Sequence, residues 1–359
     1  MSELARLHTL GRDFNTGGFP HDVWREMASA GLFRVALPGD FGGDGGTWSD
    51  IAACETSLVE ISGSPGLAMS WAGGQMVARW FIAGFADHRQ KAAYLPAIAE
   101  GRMIASVAVS EPGAGAHPKH LQTNAALRGD TFVLNGEKAY VTNGPLAGLY
   151  VVFAITALAE GRKRYSAFLV PRGTPGLELV AQPELDFLRP SPHCRLKLTD
   201  CAVQATAMLG PADTAYERMV GPFRDVEDAV GTGGLVGALR HALRRLADAT
   251  STPDDAAAAA LGELAAMTAI IARASESVVG ALDQGCLDQD PIPAELVGIR
   301  TLGAAALRAV EAFRQGFGTA HRDGLAPLLR DLGKSFEIAK GPRLVKQSRL
   351  GFALLRKQL

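Results

Sequence analysis

Apolar positions divide the chain into three parts with different periodicities. Over residues 22–100 they recur at helical spacing, as at Val23, Met27 and Leu32. Over residues 103–209 they form short runs such as YVVFAI and SAFLV, separated by turn signals such as the Asn-Gly pair at Asn135. From Tyr216 onward, long amphipathic stretches rich in Ala, Leu and Arg predict a helical bundle. The pattern predicts an α+β protein whose domains are residues 1–103, 104–212 and 213–359.

Composition narrows the classes of function. A chain of 359 residues with 47% hydrophobic residues can bury a sizeable core. A net charge of −1 gives no electrostatic footprint for nucleic acid or an anionic membrane, so neither is an expected partner. No secretory leader and no long uncharged apolar run is present, which predicts a cytoplasmic protein. Four cysteines without a C-x-x-C pair favour reduced thiols.

The most specific signal is a pair of segments about thirty residues apart, AVSEPGAGAH at residues 108–117 and NGEKAYVTNG at residues 135–144. Both resemble the flavin-facing strands of the acyl-CoA dehydrogenase family. Further segments follow in the family's order: FPHDVWREMASAGLFRVALPGDFGGDGG, FADHRQKAAYLPAIAEG, AFLVPRGTPGLEL, LRPSPHCRLKLTDCAV and RDLGKSFEIAKGP. The resemblance covers nearly the whole chain. It implies an N-terminal helical domain, a middle β-sheet domain and a C-terminal antiparallel four-helix bundle.

The resemblance also implies FAD as cofactor and an acyl thioester as substrate. In this family a carboxylate removes the α-proton while the β-hydrogen leaves as hydride to the flavin. Val109 and Ser110 match residues at the pyrimidine edge of the flavin ring, and Tyr140 and Thr142 match residues against the ring. Gly115 matches the first residue of the loop near the FAD pyrophosphate. Taken singly, each of these side chains is also an ordinary β-sheet residue.

Several positions that hold the dinucleotide in the family are altered. Ala116 replaces a serine that donates to the pyrophosphate, the acidic segment DATSTPDDAAAAALGELAA replaces an Arg-x-x-Phe-Gly stretch, Ala312 replaces a glutamine and Pro342 replaces a threonine. Each loss predicts binding weaker by about 1 kcal/mol or more. Three explanations stay open: a homologous partner subunit completes the site, the protein has abandoned FAD, or Arg and Lys in LRPSPHCR and GPRLVKQSR supply substitute contacts.

The family places its catalytic base at either of two positions. At the C-terminal position this chain has Lys340, and a protonated lysine cannot accept the α-proton. At the other position, on the first helix of the last domain, the segment FRDVEDAVGTGGLVG has Glu227. Glu227 is therefore the predicted base, the alternative being a solvated carboxylate beside Asp225 and Asp228. Lys340 is predicted to lie in the substrate pocket, paired with Glu227 or with an anionic substrate group, or else to be an exposed lysine at a helix end.

The predicted function is α,β-desaturation of an acyl thioester, carried by coenzyme A or by a carrier protein. The expected assembly is a homodimer, a homotetramer or a heteromer with a homologous subunit. One alternative is an FAD-poor or non-catalytic subunit of a heteromeric acyl-CoA dehydrogenase, and another is a flavin monooxygenase on the same fold. No metal is expected, because His117 and His120 lack a third ligand in step.

Overall fold

The computed structural model describes residues 18–181, 185–286, 289, 291–337 and 340–356, and for residues 340–343 it describes the backbone alone. The first helices are α1 (His21–Ser29), α2 (Trp48–Ser62), α3 (Pro65–Val77) and α4 (His88–Ala99). Thr47 and Asp87 are the N-cap residues of α2 and α4, and each forms a capping box. In a capping box the N-cap side chain accepts a hydrogen bond from the backbone amide three residues later, whose side chain accepts one from the N-cap amide. A π-helical segment, Ala78–Ala83, extends α3.

A mixed sheet follows these helices. Its strands are β1 (Ala105–Ala108), β2 (Asn124–Arg128), β3 (Thr131–Thr142), β4 (Leu149–Ala159), β5 (Arg162–Pro171), β6 (Leu177–Ala181), β7 (His193–Gln204) and β8 (Met208–Leu209). The spatial order is β6-β7-β3-β2-β4-β5-β8, and β1 pairs with β4 in parallel. The other pairings are antiparallel apart from a short parallel contact between β2 and β4.

The last part of the chain is helical. Its helices are α5 (Gly221–Val230), α6 (Thr232–Ala249), α7 (Asp255–Asp283), α8 (Ile292–Gly316), α9 (Ala326–Glu337) and α10 (Lys340–Leu355). A π-helical turn, Tyr216–Val220, leads into α5. Four of these helices are long, and α5 and α9 are shorter. The succession of helices, sheet and helices confirms the predicted α+β architecture.

Helix α7 is long and apolar enough to cross a membrane, judged by length and composition alone. This is weak evidence, because core helices of soluble proteins pass the same test. In this structure Leu264, Ile271 and Val278 of α7 are buried within the main core, where α7 packs against α6 and α8. Only 28% of its most apolar stretch is buried, and the exposed side combines alanines with charged residues such as Glu263, Arg273 and Glu276.

Alternating side chains of the sheet serve two separate cores. Leu149, Val151 and Phe153 of β4 pack into the larger core. This core also contains buried residues of the helices that precede and follow the sheet in the sequence. The intervening Tyr150 and Val152 pack into a smaller core on the opposite face. Because successive side chains of a strand point to opposite faces, one strand joins both cores. The sheet is thereby fixed against the helices that carry the rest of the site.

Helices α2 and α6 approach each other so closely that only glycine fits between them. A Cβ atom added at Gly237 would lie 2.3 Å from the carbonyl oxygen of Thr56, and one at Gly233 would lie 2.5 Å from that of Ala52. Because the helices are this close, the Thr56 hydroxyl of α2 donates a hydrogen bond to the Gly233 carbonyl of α6 at 2.9 Å. The two glycines thus let the N-terminal and C-terminal helical parts of the chain pack directly against each other.

A buried ion pair joins the segment after β1 to β3. Lys138 Nζ lies 2.8 Å from Glu111 Oε1, with side-chain exposures of 0% and 6%. Lys138 also donates to the Val109 carbonyl, while Glu111 accepts from the backbone amides of Gln122 and Thr123. Burial lowers the pKa of Lys138 to about 8 despite the attraction of Glu111. Burial raises the pKa of Glu111, but Lys138 and the amide donors outweigh it, so the net change is downward.

We expect Gly237→Ala to destabilise the protein by about 1–3 kcal/mol, because the new methyl group meets backbone that cannot move without shifting a helix. Gly262→Ala in α7 is the matched control, since nothing lies within 4 Å of its added Cβ. The control should gain about 0.5–1 kcal/mol of helix propensity. Urea unfolding of both variants measures the two effects, and equal stability of the two would contradict the close approach.

We expect Lys138→Met to cost about 3–5 kcal/mol, because it leaves the Glu111 charge buried without its partner. Adding Glu111→Gln should recover part of this loss, since the second change removes the unpaired charge. Arg273→Met, which breaks the exposed Arg273–Glu276 pair, is the control and should cost less than about 1 kcal/mol. A double variant no more stable than Lys138→Met would show that the pair is not the source of the loss.

Candidate functional site

Two adjoining cavities lie between the sheet and the helices. The first, called the sheet cavity, has a volume of about 240 Å³ and is lined by β1 and the segment after it, by β3, and by α3 and α5. The second, called the helix cavity, has a volume of about 300 Å³ and lies among α2, α3, α5, α6, α8 and α9. Met69, Met76 and Glu227 line both cavities. The two spaces therefore meet at these three side chains.

An irregularity in β3 shapes the wall of the sheet cavity. The pairing of β3 with β7 shifts register between Lys138 and Val141, and Tyr140 within this bulge has a φ of 56°. Positive φ is uncommon outside glycine, and bulges re-aim side chains next to functional sites. The Tyr140 side chain is 58% exposed and lines the cavity. The Ala139 amide donates to the Ser110 carbonyl at 2.8 Å, which fixes this wall to the segment after β1.

Four of the five residues predicted to contact the cofactor are brought together here. Val109, Ser110, Tyr140 and Thr142 all line the sheet cavity. Gly115 is not among the lining residues. It lies in a turn with a φ of 55° and pairs with Glu111, while its neighbour Ala116 lines the cavity. The contact of Gly115 with a cofactor remains a prediction.

Asn143 is a lining residue that sequence reasoning missed. It has a φ of 60°, and its side-chain amide donates to the Ser70 carbonyl of α3 at 2.7 Å. Its Oδ1 atom is buried and has no hydrogen-bond partner within the described part of the chain. The Asn-Gly pair at residues 143–144 is an ordinary turn signal in the sequence, and such a signal gives no indication of the contact that joins this turn to a helix.

Arg224 is a second missed residue, and it brings a cation to the cavity. Its guanidinium donates to the Ala116 carbonyl at 2.9 Å and to the Tyr216 hydroxyl at 3.1 Å. Sequence comparison indicated the loss of a phosphate donor at Ala116, and Arg224 lies beside that position. The available signal was its place one turn before Glu227 on α5, since residues three apart on a helix share a face.

Glu227 lies where the two cavities meet, and its side chain is exposed to their open space. Burial raises the pKa of Glu227 to about 7, and the negative charge of Asp228 raises it further while Arg224 opposes the rise. The Glu227 side chain makes no hydrogen bond or ion pair among the described residues. Its carboxyl group is thus available to a ligand and is partly ionised near neutral pH.

The neighbouring carboxylates have cationic partners. Lys346 lies 2.8 Å from Asp225 and 2.8 Å from Asp228, and Arg300 pairs with Asp228. The three acidic residues of α5 are therefore not one solvated cluster, because two are neutralised and the third faces the cavities. The backbone of Lys340 begins α10, but its side chain lies outside the described residues. Its predicted place in the substrate pocket stays a prediction.

The sheet cavity fits the ring half of a flavin. It combines an aromatic face from Tyr140 with hydroxyl groups of Ser110 and Thr142, the donor and acceptor set that a polar heteroaromatic ring requires. Ala116 offers no side-chain hydroxyl to a pyrophosphate, but the Arg224 guanidinium brings a positive charge to this loop through its hydrogen bond to the Ala116 carbonyl. Among the described residues, no group of three His, Cys, Asp or Glu side chains could hold a metal ion.

Comparison with known proteins gives the relationship of the chain. Its residues 5–102 match the family model of the acyl-CoA dehydrogenase N-terminal domain, and residues 106–201 match that of the middle domain. A probable acyl-CoA dehydrogenase of Bacillus subtilis is 31% identical over 206 residues, covering 57% of this chain and 54% of that protein. Isovaleryl-CoA dehydrogenase of Oryza sativa is 26% identical over 353 residues, covering 95% and 85% of the two chains.

A solved structure extends the comparison to the fold. Butyryl-CoA dehydrogenase of Megasphaera elsdenii superposes with a TM-score of 0.83 at 21% identity, covering 99% of this chain and 98% of the other. At this identity the likeness shows the fold alone. The Bacillus match spans about half of that relative's length, whereas the two family models together cover more than half of this chain. The chain belongs to the acyl-CoA dehydrogenase family.

Proposed function

We propose that this protein is an FAD-dependent dehydrogenase of acyl thioesters in which Glu227 is the catalytic base. The observation that carries the proposal is the place of Glu227 at the junction of two cavities. One cavity has the residues expected around a flavin ring, and the other is large and mostly apolar, as an acyl chain requires. A base between the two would face the α-carbon of a thioester whose chain extends into the helix cavity.

The proposed reaction assigns a separate role to each group. The Glu227 carboxylate removes the α-proton, and the C–H electron pair forms the new double bond as the β-hydrogen departs with its own electron pair. FAD, when bound, accepts that hydride. The apolar wall of the helix cavity excludes water from the acyl chain, and the hydroxyl groups of Ser110 and Thr142 orient the flavin ring.

The pKa of Glu227 suits this role at neutral pH. A general base is most effective when its pKa lies near the working pH, because it is then ionised and still basic enough to accept a proton. Burial and Asp228 raise this pKa to about 7, and Arg224 limits the rise. An ordinary surface carboxylate would be ionised but a far weaker base.

The carrier and the assembly are also proposals. We retain coenzyme A or a carrier protein as the thioester carrier, cytoplasm as the location, and an oligomer of identical or homologous subunits as the active form. We expect a second subunit to cover part of the exposed side of α7, where Ile270 and alanines such as Ala259 and Ala266 expose apolar side chains. A second subunit would also bring further groups to the dinucleotide half of the FAD site.

The test begins with the purified protein incubated with FAD and desalted. Retention of a stoichiometric flavin absorption band, followed by its anaerobic bleaching on addition of an acyl-CoA thioester, is the expected result. Retained flavin that is not bleached by acyl-CoA or acyl-carrier-protein thioesters would overturn dehydrogenation. No flavin retained by this chain alone would instead favour a heteromer with a homologous subunit.

We expect Glu227→Gln to lower the rate of flavin reduction by at least about a hundredfold, because an amide cannot accept the α-proton. Binding of the thioester should persist, since the amide is nearly the same size. Asp225→Asn, on the same helix and paired with Lys346 away from the cavities, is the control and should keep its rate within a few-fold. Anaerobic stopped-flow spectroscopy measures both variants, and equal rates would eliminate Glu227 as the base.

We expect kcat/KM to rise with pH through a midpoint near 7, because only ionised Glu227 removes the proton. Arg224→Leu removes a positive charge that favours the carboxylate and should move the midpoint to higher pH. Arg224→Lys keeps the charge and should leave the midpoint nearly unchanged. A midpoint close to the ordinary carboxyl value of 4.5 would show that the group is not held as the structure indicates.

A further inference from the structure

Glu55 is a buried carboxylic acid that the proposed reaction does not use. It lies on α2, its residue exposure is 7%, and it lines the helix cavity. Its Oε2 atom is buried without a hydrogen-bond partner in the described part of the chain. Glutamate is almost never fully buried unless it is paired, so this position needs an explanation.

The other polar side chains of the helix cavity differ from Glu55. Asp228 and Arg300 form an ion pair. Thr232 bonds to the Ala229 carbonyl and to the Ser275 hydroxyl, and Ser335 donates to the Asp331 carbonyl. Among the described residues that line this cavity, two polar side chains have no such partner. They are Glu227, the proposed base, and Glu55.

The surroundings leave room for the Glu55 carboxyl group and keep it neutral. A Cβ atom added at Gly234 of α6 would lie 3.0 Å from Glu55 Oε1, so the absence of a side chain there makes space for the acid. Burial raises the pKa of Glu55 to about 8. A neutral carboxylic acid has one O–H donor and acceptor oxygens, and leaving these groups unpaired in a buried position costs free energy. A ligand that supplied the missing partner would recover this energy.

The position of Glu55 shows which part of a ligand it would meet. Glu227 lines both cavities, whereas Glu55 lines the helix cavity and is not among the residues that line the sheet cavity. A thioester with its α-carbon at Glu227 would extend its acyl chain into the helix cavity. The remaining walls there are largely apolar, with Met69, Leu235 and Ile299 among them. Glu55 would thus meet the acyl chain beyond the reacting carbons.

We propose that Glu55 is a specificity-determining residue that selects acyl groups carrying a hydrogen-bond donor, a hydroxyl or an amine, beyond the β-carbon. This inference rests on the proposed function, because it assumes that the helix cavity holds the acyl chain. A saturated hydrocarbon chain leaves Glu55 unpaired, and a site with an unpaired buried polar group discriminates against the ligand that lacks its partner. A hydroxyl pairs with the neutral acid, whereas an ammonium group pairs with the carboxylate and releases a proton on binding.

The test compares matched coenzyme A thioesters, from butyryl to octanoyl, that end in a methyl, a hydroxyl or an amino group. In the FAD-reconstituted protein, kcat/KM should favour a hydroxyl or amino thioester over its methyl counterpart by at least about tenfold. Glu55→Leu should abolish or reverse this preference. Glu55→Gln should keep a preference for hydroxyl and lose one for amine, which separates the two donors. An unchanged preference in Glu55→Leu overturns the proposal.

Binding measured by calorimetry separates this inference from the proposed reaction. The wild type should bind a hydroxyl or amino thioester at least about tenfold more tightly than its methyl counterpart, and Glu55→Leu should lose that difference. If this result is found while no thioester is oxidised, the selectivity stands and the proposed dehydrogenation fails. If calorimetry shows no such difference in the wild type, including no binding at all, the selectivity is overturned. Thermal unfolding is the third readout, and Glu55→Leu should unfold at a higher temperature, because removing an unpaired buried acid relieves its desolvation cost.

Discussion

The geometry of the site depends on the buried pairing of Glu111 with Lys138. The segment after β1 carries Val109 and Ser110, and the bulge of β3 carries Tyr140, yet ordinary sheet hydrogen bonds do not join these segments along their whole length. The ion pair and the backbone contacts around it hold them face to face. A charged pair this deep is costly to bury, and replacing both charges by apolar groups is often neutral for stability. Its value here lies in orienting two segments that are joined by the Ala139–Ser110 backbone hydrogen bond and are not neighbouring strands in the described sheet.

The same pair shows how burial produces opposite outcomes at different carboxyl groups. Glu111 has Lys138 and two amide donors, so its pKa falls despite burial. Glu227 and Glu55 have no such partners, so burial raises the pKa of each, to about 7 and about 8. Desolvation disfavours the charged form in all three cases, and the presence or absence of a partner decides whether the pKa falls or rises. The protein therefore has a fixed anion beneath the sheet cavity and two proton-exchanging acids facing the helix cavity.

Sequence periodicity indicated the order of helices, strands and helices, and the resemblance to the acyl-CoA dehydrogenase family indicated much of the site. The short apolar run YVVFAI predicted a strand, and β4 divides these residues between the two cores because successive side chains of a strand point to opposite faces. Motif spacing was also sufficient to bring Ser110 and Thr142 together. Arg224, Asn143 and Glu55 were missed because their roles arise from contacts between distant segments. A single charged residue in a helix gives no sign in the sequence of whether it faces solvent or a cavity.

The close approach of α2 and α6 connects stability to the site. Gly233 and Gly237 allow the two helices to touch at their backbones, and Gly234 between them leaves space for Glu55. Helix α6 follows α5 directly in the chain. The contact between α2 and α6 therefore also constrains the position of α5, which carries Glu227. A bulky residue at Gly233 or Gly237 would displace α2, which carries Glu55, whereas one at Gly234 would displace the Glu55 carboxyl group itself. The three glycines thus serve packing and acid placement together, and neither use can be changed without the other.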